Sequence, residues 1–271
     1  MQFIGSKWSF EECDVVVLPV PYEKTVSYMP GTAKGPRSII NASMQLESFD
    51  MELGYEIDKR VKIHTTKEMV YNEIEKNVLI ALNKNKFPVL LGGEHTITVP
   101  AVKACAKLYQ DLSVLQIDAH ADLRDEFDGE RYSHACVMRR VRETVKRTVQ
   151  VGIRDMSAEE NEYIEKEGIR NTIYGIDFDA DEIIRQLSDN VYITVDLDGL
   201  DPSECPAVGT PQPGGLHWKE TVGLLRKITE KKNVVGFDVV ELAPVRWCVT
   251  SDFLAAKLVY KMIGYCTSRN R

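Results

Sequence analysis

The stretch PVLLGGEHTITVPAVKACAKLYQDLSVLQID, residues 88–118, decides the fold class. It opens on a short continuous apolar run, 88–92, and closes on a second, 112–118. Runs of this length without polar alternation read as strands buried on both faces. The longer amphipathic piece between them, 96–109, reads as a helix. Strand, helix and strand in one such span make a βαβ unit and imply parallel pairing. The alternation continues outward. Runs at 14–20, 148–153, 191–197 and 234–241 read as further strands, and fainter ones at 60–65 and 172–175 bring the number to about eight. Helical patterns fall at 67–85, 158–167, 180–187, 218–230 and 253–263, and turn clusters such as PGTAKGP (30–36) connect them. A closed TIM barrel and an open doubly wound sheet both require this alternation. In either, ligands gather beyond the C-terminal ends of the strands.

Composition narrows the function classes. The chain has 271 residues with 34 Lys+Arg against 41 Asp+Glu, a formal net charge of −7. An acidic balance argues against nucleic acid as partner, because phosphate neutralisation needs surplus basic side chains. Hydrophobic residues at 44% and charged residues at 28% are ordinary globular usage. No apolar run approaches the roughly 18 residues of a membrane helix, so no membrane partner is expected. The N-terminus MQFIGSKWSFEEC lacks a basic segment followed by a long apolar core, so cytoplasmic residence is the expectation. The six cysteines (13, 105, 136, 205, 248 and 266) never approach within 18 positions of one another, which rules out a CxxC motif and leaves reduced thiols.

Three strand ends carry the chemistry. The run 112–117 leads into Asp118-Ala-His120-Ala-Asp122, and in extended backbone positions 118, 120 and 122 point to one side. Two carboxylates leaving water together repel each other and demand a cation, which a metal supplies and a solvated loop does not need. The run 191–195 ends in Asp196-Leu-Asp198, while Asp201 before Pro202 reads as a turn former. The run 88–91 ends in Gly92-Gly93-Glu94-His95. Asp118, Asp122, Asp196 and Asp198 carry four negative charges, with His95 and His120 as neutral ligands. Two divalent ions balance that charge and one does not. Carboxylate with imidazole and no thiolate favours a hard or borderline ion such as Mn(II). Two such ions activate water at neutral pH, so metal-assisted hydrolysis is the expected class.

In order, GGEH (92–95), DAHAD (118–122), Ser133-His134, DLDGLDP (196–202) with GTPQPGGL (209–216), and DVVELAP (238–244) resemble the motifs of the ureohydrolases, the arginase and agmatinase family. The segment VPYEKTVSYMPGTAKGP (20–36) resembles that family's N-terminal part. The resemblance implies a single domain over residues 1–271, a three-layer α/β/α fold with an eight-stranded, mainly parallel sheet, and two Mn(2+) per subunit. It implies hydrolysis of a guanidinium group to urea and an amine by attack of a metal-bridging hydroxide. Carried over by motif, His95 and Asp122 bind one ion, His120 and Asp198 the other, and Asp118 and Asp196 bridge them. Asp122 carries the proton released by the nucleophile, and His134 matches the shuttle that protonates the leaving amine. Glu241 ends an apolar strand, where a guanidinium cation suits its carboxylate; the plain alternative is an internal pair with an arginine such as Arg246. His64 and His217 read as structural. Relatives are commonly trimers or hexamers, so a homo-oligomer is expected.

The tail of the substrate is read from departures. Where arginases place an Asn and a Ser-Gly-Asn-x-His run, this chain has Arg124 and Arg131-Tyr132-Ser133-His134, and DLRDEFDGERYSH (122–134) is instead like the agmatinase branch. Ser157 stands where arginases use an acid to grip the α-amino group. Agmatine, a small cationic guanidino compound, is therefore the expected substrate, giving urea and putrescine. Aminopropylagmatine, guanidinobutyrate, arginine and formiminoglutamate are the alternatives. Glu159 and Glu160 are candidates for a distal ammonium. Residues 245–251 depart from a Tyr-Asp pair found in many relatives, which draws attention to the pocket wall. A metallophosphoesterase would show GDxxD and GNH[DE], and neither string is present.

Overall fold

A computed structural model describes residues 1–268. The strands in chain order are β1 (Val15–Val20), β2 (Phe49–Asp50), β3 (Tyr55–Glu56), β4 (Ile63–Thr65), β5 (Phe87–Gly92), β6 (Leu112–Ile117), β7 (Arg147–Val151), β8 (Ile173–Tyr174), β9 (Asn190–Asp196) and β10 (Asn233–Val240). The helices are α1 (Gly35–Ser43), α2 (Ile57–Arg60), α3 (Ile74–Asn83), α4 (Thr98–Ala106), α5 (Val137–Arg142), α6 (Ala158–Glu167), α7 (Ala180–Gln186), α8 (Trp218–Lys231) and α9 (Thr250–Thr267). Eight strands form one open sheet in the order β4-β1-β5-β10-β9-β6-β7-β8, every pairing parallel. This is the doubly wound alternative rather than the barrel.

Alternation along each strand divides the core. Val15 and Val17 belong to one apolar cluster with Ile39 of α1, Ile57 of α2, Ile183 of α7, Leu225 of α8 and Val259 of α9. Val16 and Leu18 belong to the other, with Val78 of α3, Val102 of α4, Val141 of α5 and Ile164 of α6. Helices therefore cover both faces in three layers, which is why the strands read as continuous apolar runs. No helix of the described residues is long and apolar enough to cross a membrane.

The two strands of the opening βαβ stretch are not neighbours: β10 and β9 insert between β5 and β6. That insertion brings the C-terminal ends of β5, β10, β9 and β6 side by side, the crevice at which open α/β sheets bind ligands. The chain differs from the sequence reading in its short pieces. Residues 67–70 are extended rather than helical, because the Thr66 and Met69 amides donate to the Val17 and Pro19 carbonyls at 3.0 Å. Helix α1 starts at Gly35 inside the expected turn cluster, with Pro36 in its first turn, where a missing amide costs nothing.

Candidate metal centre

Each strand end delivers its side chain through a local device. After β5 the chain turns at Gly93, where a β-carbon would lie 1.9 Å from the Tyr22 carbonyl oxygen, so only glycine fits. Glu94 is fully buried; one carboxylate oxygen accepts from the Lys24 and Thr25 amides at 2.6 and 2.7 Å, the other from the Thr25 and Thr96 hydroxyls. His95 follows at the start of a 3-10 turn, and its amide donates to Glu241 Oε1 at 2.6 Å. Asp122 and Glu241 both adopt left-handed backbone, φ 53° and 65°. Non-glycine residues held there cost stability and persist where surrounding structure over-determines them, commonly at functional sites.

These devices converge on one buried cluster. His95 Nδ1 lies 3.2 Å from Asp118 Oδ2, 3.1 Å from Asp122 Oδ2 and 3.3 Å from Asp196 Oδ2. His120 Nδ1 lies 3.0 Å from Asp198 Oδ2 and 3.7 Å from Asp118 Oδ1. Two sets of ligand atoms therefore suit an ion, His95–Asp118–Asp122 and Asp118–His120–Asp198, and Asp118 is common to both. Asp196 anchors the second loop as well, since its Oδ1 accepts the Asp198 amide at 2.9 Å.

The hydrogen-bond network assigns the His95 tautomer. Its Nε2 is 2.9 Å from Thr194 Oγ1, whose hydroxyl donates to Asp238 Oδ1 at 2.6 Å. Asp238, fully buried, also accepts from Thr98 at 2.9 Å and Tyr192 at 2.8 Å. Thr194 has spent its proton on Asp238, so it accepts from His95 Nε2–H, which leaves a lone pair on Nδ1. Nδ1 is buried and has no hydrogen-bond partner. A lone pair facing three carboxylate oxygens is repulsive unless a cation or a proton lies among them. Burial opposes charge on His95, yet Asp118, Asp122 and Asp196 raise it well above the usual histidine range, so Nδ1 takes a proton where no ion is bound and the donor set fits a divalent ion.

Titration behaviour reports the same shortage of positive charge. Burial, with the Asp118 charge beside it, pushes Asp122 up to about 7, and burial with Asp198 and Asp118 raises Asp196 far above the carboxylate range. Burial pushes Glu241 up to about 8 despite the amide it accepts from His95. Burial opposes a charge on His120, yet Asp118 and Asp198 carry it to about 12. Without metal the cluster binds protons in place of ions.

His134 lines the same cavity, of about 210 Å³, with His95, His120, Asp122, Arg124, Phe127 and Glu241. Its Nδ1 is 3.2 Å from Thr25 Oγ1, a hydroxyl already donating to Glu94, so Nδ1 carries the proton and Nε2 is the acceptor. Burial lowers the His134 pKa, which keeps the ring neutral at pH 7. Glu160 lines the cavity, but its oxygens accept from the Leu123 amide at 2.8 Å and from Ser157 in the cap of α6. Glu159 accepts the Asp125 amide at 3.2 Å and does not line the cavity. Among the described residues none of 245–251 lines it, and Arg246 sits over the Trp247 ring, with no ion pair to Glu241. His64 bonds the Trp8 carbonyl and His217 bonds Glu204, both away from the cluster.

Glu94 was named at the end of the 88–91 run without a role; Thr194, Asp238 and Thr25 were given none, nor was a buried amide pair. Gln150 donates to Gln116 Oε1, and Gln116 donates to Asp118 Oδ2 at 2.6 Å. For the strand residues the signal was polarity inside apolar runs, since Gln116, Gln150, Thr194 and Asp238 interrupt β6, β7, β9 and β10.

The comparisons agree with this geometry. The model of the arginase family matches residues 13–264. The N(1)-aminopropylagmatine ureohydrolase of Synechocystis sp. is 38% identical over 285 residues, covering 97% of this chain and 93% of that protein. The enzyme of the same name from Thermus thermophilus is 41% identical over 268 residues, covering 94% and 91%. Among solved structures, the agmatine ureohydrolase of Thermoplasma volcanium superposes with a TM-score of 0.89 at 31% identity, covering 100% of this chain and 96% of that one. Over nearly its whole length, therefore, this chain belongs to the arginase family of ureohydrolases.

Proposed function

We propose that the chain binds two Mn(2+) ions and hydrolyses the guanidinium group of agmatine to urea and putrescine. The observation that carries this reading is the buried, unpartnered His95 Nδ1 set among three carboxylates, with Asp118 common to two ligand sets. His95, Asp118, Asp122 and Asp196 would hold one ion, and Asp118, His120 and Asp198 the other, with Asp196 shared as the family motif implies. When bound, the pair lowers the pKa of water so that hydroxide is available at neutral pH, and offsets charge developing on the guanidinium carbon's substituents.

The chain's own groups do the rest. Glu241 lines the cavity and takes the guanidinium, whose positive charge draws the raised carboxyl into its ionised form. Asp122 accepts the proton released by the nucleophile. His134, neutral and with Nε2 unprotonated 3.4 Å from Ser27 Oγ, would take up at Nε2 the proton that Asp122 has accepted and hand it on to the leaving amine. Phe127 and Met156 line the cavity where the aliphatic stem would lie. In this reading the enzyme works in the cytoplasm as a trimer or hexamer, and sedimentation velocity checks the copy number; a monomer at micromolar concentration overturns it.

A second substrate reading has its own support. The relatives at 38% and 41% identity are both named for aminopropylagmatine. Urea release by Mn-loaded protein over agmatine, aminopropylagmatine, guanidinobutyrate, arginine and formiminoglutamate decides between them. The expected result is the highest kcat/KM for agmatine; aminopropylagmatine ahead transfers the assignment to the second reading, and arginine ahead overturns both.

A further inference from the structure

Arg154 makes an unusual set of contacts directly behind the candidate metal centre. Its guanidinium meets no carboxylate; every bond goes to a backbone carbonyl. Nε donates to Pro213 at 3.0 Å, Nη1 to Gly152 at 3.0 Å and Gly199 at 3.2 Å, and Nη2 to Asp198 at 2.7 Å, Leu200 at 3.4 Å and Gln212 at 2.7 Å. A guanidinium has five N–H groups in a fixed planar fork, so six acceptors from three segments saturate it.

The three segments all serve one ligand pair. The first carries Arg154 itself, whose amide, with that of Asp155, donates to the Ala119 carbonyl at 2.9 and 3.1 Å, between Asp118 and His120. The second is the loop of Asp198, gripped at 198, 199 and 200. The third, gripped at 212 and 213, carries Thr210, whose hydroxyl donates to Asp198 Oδ2 at 3.1 Å. That oxygen is the one 3.0 Å from His120 Nδ1. Nothing in the His95–Asp122 half touches the guanidinium.

We propose that Arg154 is a positioning residue that sets the affinity of the His120–Asp198 half of the centre, by fixing the Asp198 loop and the Thr210 loop to the segment behind His120. The inference rests on the two-metal reading above. Its consequence is an asymmetric centre: loss of the fork empties one half and leaves the other filled.

The test uses the full chain, stripped with chelator and titrated with Mn(II), comparing wild type with Arg154→Lys and Arg154→Ala. Arg154→Lys keeps the charge and loses the fork. Calorimetry and metal analysis read affinity and stoichiometry; electron paramagnetic resonance distinguishes a coupled pair from an isolated Mn(II). Wild type should take two ions as a coupled pair. Each variant should bind its first ion with unchanged affinity and its second about 10–100-fold more weakly, with an isolated-ion spectrum at one equivalent. Two unchanged sites in the variants overturn the proposal, and so does equal weakening of both together with a lower melting temperature, which is the mark of general damage. If Arg154→Ala does not fold, Arg154→Lys decides alone. Wild type that takes one ion or none removes the two-metal reading, and this proposal with it.

Discussion

At the scale of single residues, the centre divides into groups that would touch an ion and groups that aim them. Asp122→Asn and Asp198→Asn change only charge and one acceptor, so each should lose metal and urea release together, as read by metal analysis on dialysed protein. His134→Asn should keep both ions and lose mainly kcat; wild-type turnover in that variant would remove its shuttle role. Thr194→Val keeps size but takes the acceptor from His95 Nε2–H and a donor from Asp238. It should weaken Mn(II) binding about 10–100-fold without emptying the active cavity, measured by calorimetry. The ligand residues themselves were legible because they stand at strand ends, but turns rather than extended backbone aim them: β6 ends at Ile117, Asp122 is left-handed at φ 53° and Asp198 lies in the 3-10 turn Leu197–Gly199. Thr194 and Asp238 were not: their meaning comes from partners 44 to 140 residues away, such as Thr98 on Asp238.

At the scale of elements, legibility followed length and end signals. Helix α6 was read at its true bounds, because Ser157 and Glu160 form a reciprocal cap and Gly168 closes it at φ 65°. Helices α2 and α5 were passed over, being 4 and 6 residues long and held by packing rather than periodicity. The antiparallel pair β2–β3 was missed for the same reason, and side chains fix it. Glu52, between the two strands, accepts from Arg226 of α8 at 2.5 Å and Tyr265 of α9 at 2.5 Å, with Lys261 at 2.8 Å. Burial works against charge on Glu52, but Lys261, Tyr265 and Arg226 outweigh it and lower its pKa from 4.5 to about 2. Stability from this network is therefore complete above pH 4.5 and is lost as pH falls toward 2. Glu52→Gln should shrink the drop in urea midpoint between about pH 6 and pH 3 relative to wild type. Gly93→Ala tests the turn after β5. With the Tyr22 carbonyl 1.9 Å from the new carbon, it should destabilise by at least about 1–3 kcal/mol, read from the same midpoints.

At the scale of the whole molecule, the open eight-stranded sheet and the three layers were implied by alternation and family resemblance, but the strand order was not. Periodicity says which face a residue takes and nothing about which strand lies beside it. Metal and stability are linked across the entire fold, since ligands come from β5, β6 and β9. Each site filled at a hundred times its dissociation constant adds about 2.7 kcal/mol. For a chain of this size that is a rise of roughly 5–10 °C in melting temperature per ion, checked by thermal scans with and without Mn(II).

The placement of β9 and β10 between β5 and β6 also bears on how the chain is made. The first 120 residues leave the ribosome with β5 and β6, whose neighbours on the sides that face each other, β10 and β9, are encoded after residue 189. Until then β5 and β6 each present an unpaired apolar edge, the surface on which nascent chains pair wrongly with one another. Closure is late and depends on long-range contact, so a slow refolding phase and a need for holdase capture are expected of this topology. A fragment ending before β9 should aggregate, whatever its local propensities, and no pair of ions could rescue it, because Asp196 and Asp198, two of the six ligands, would not yet exist.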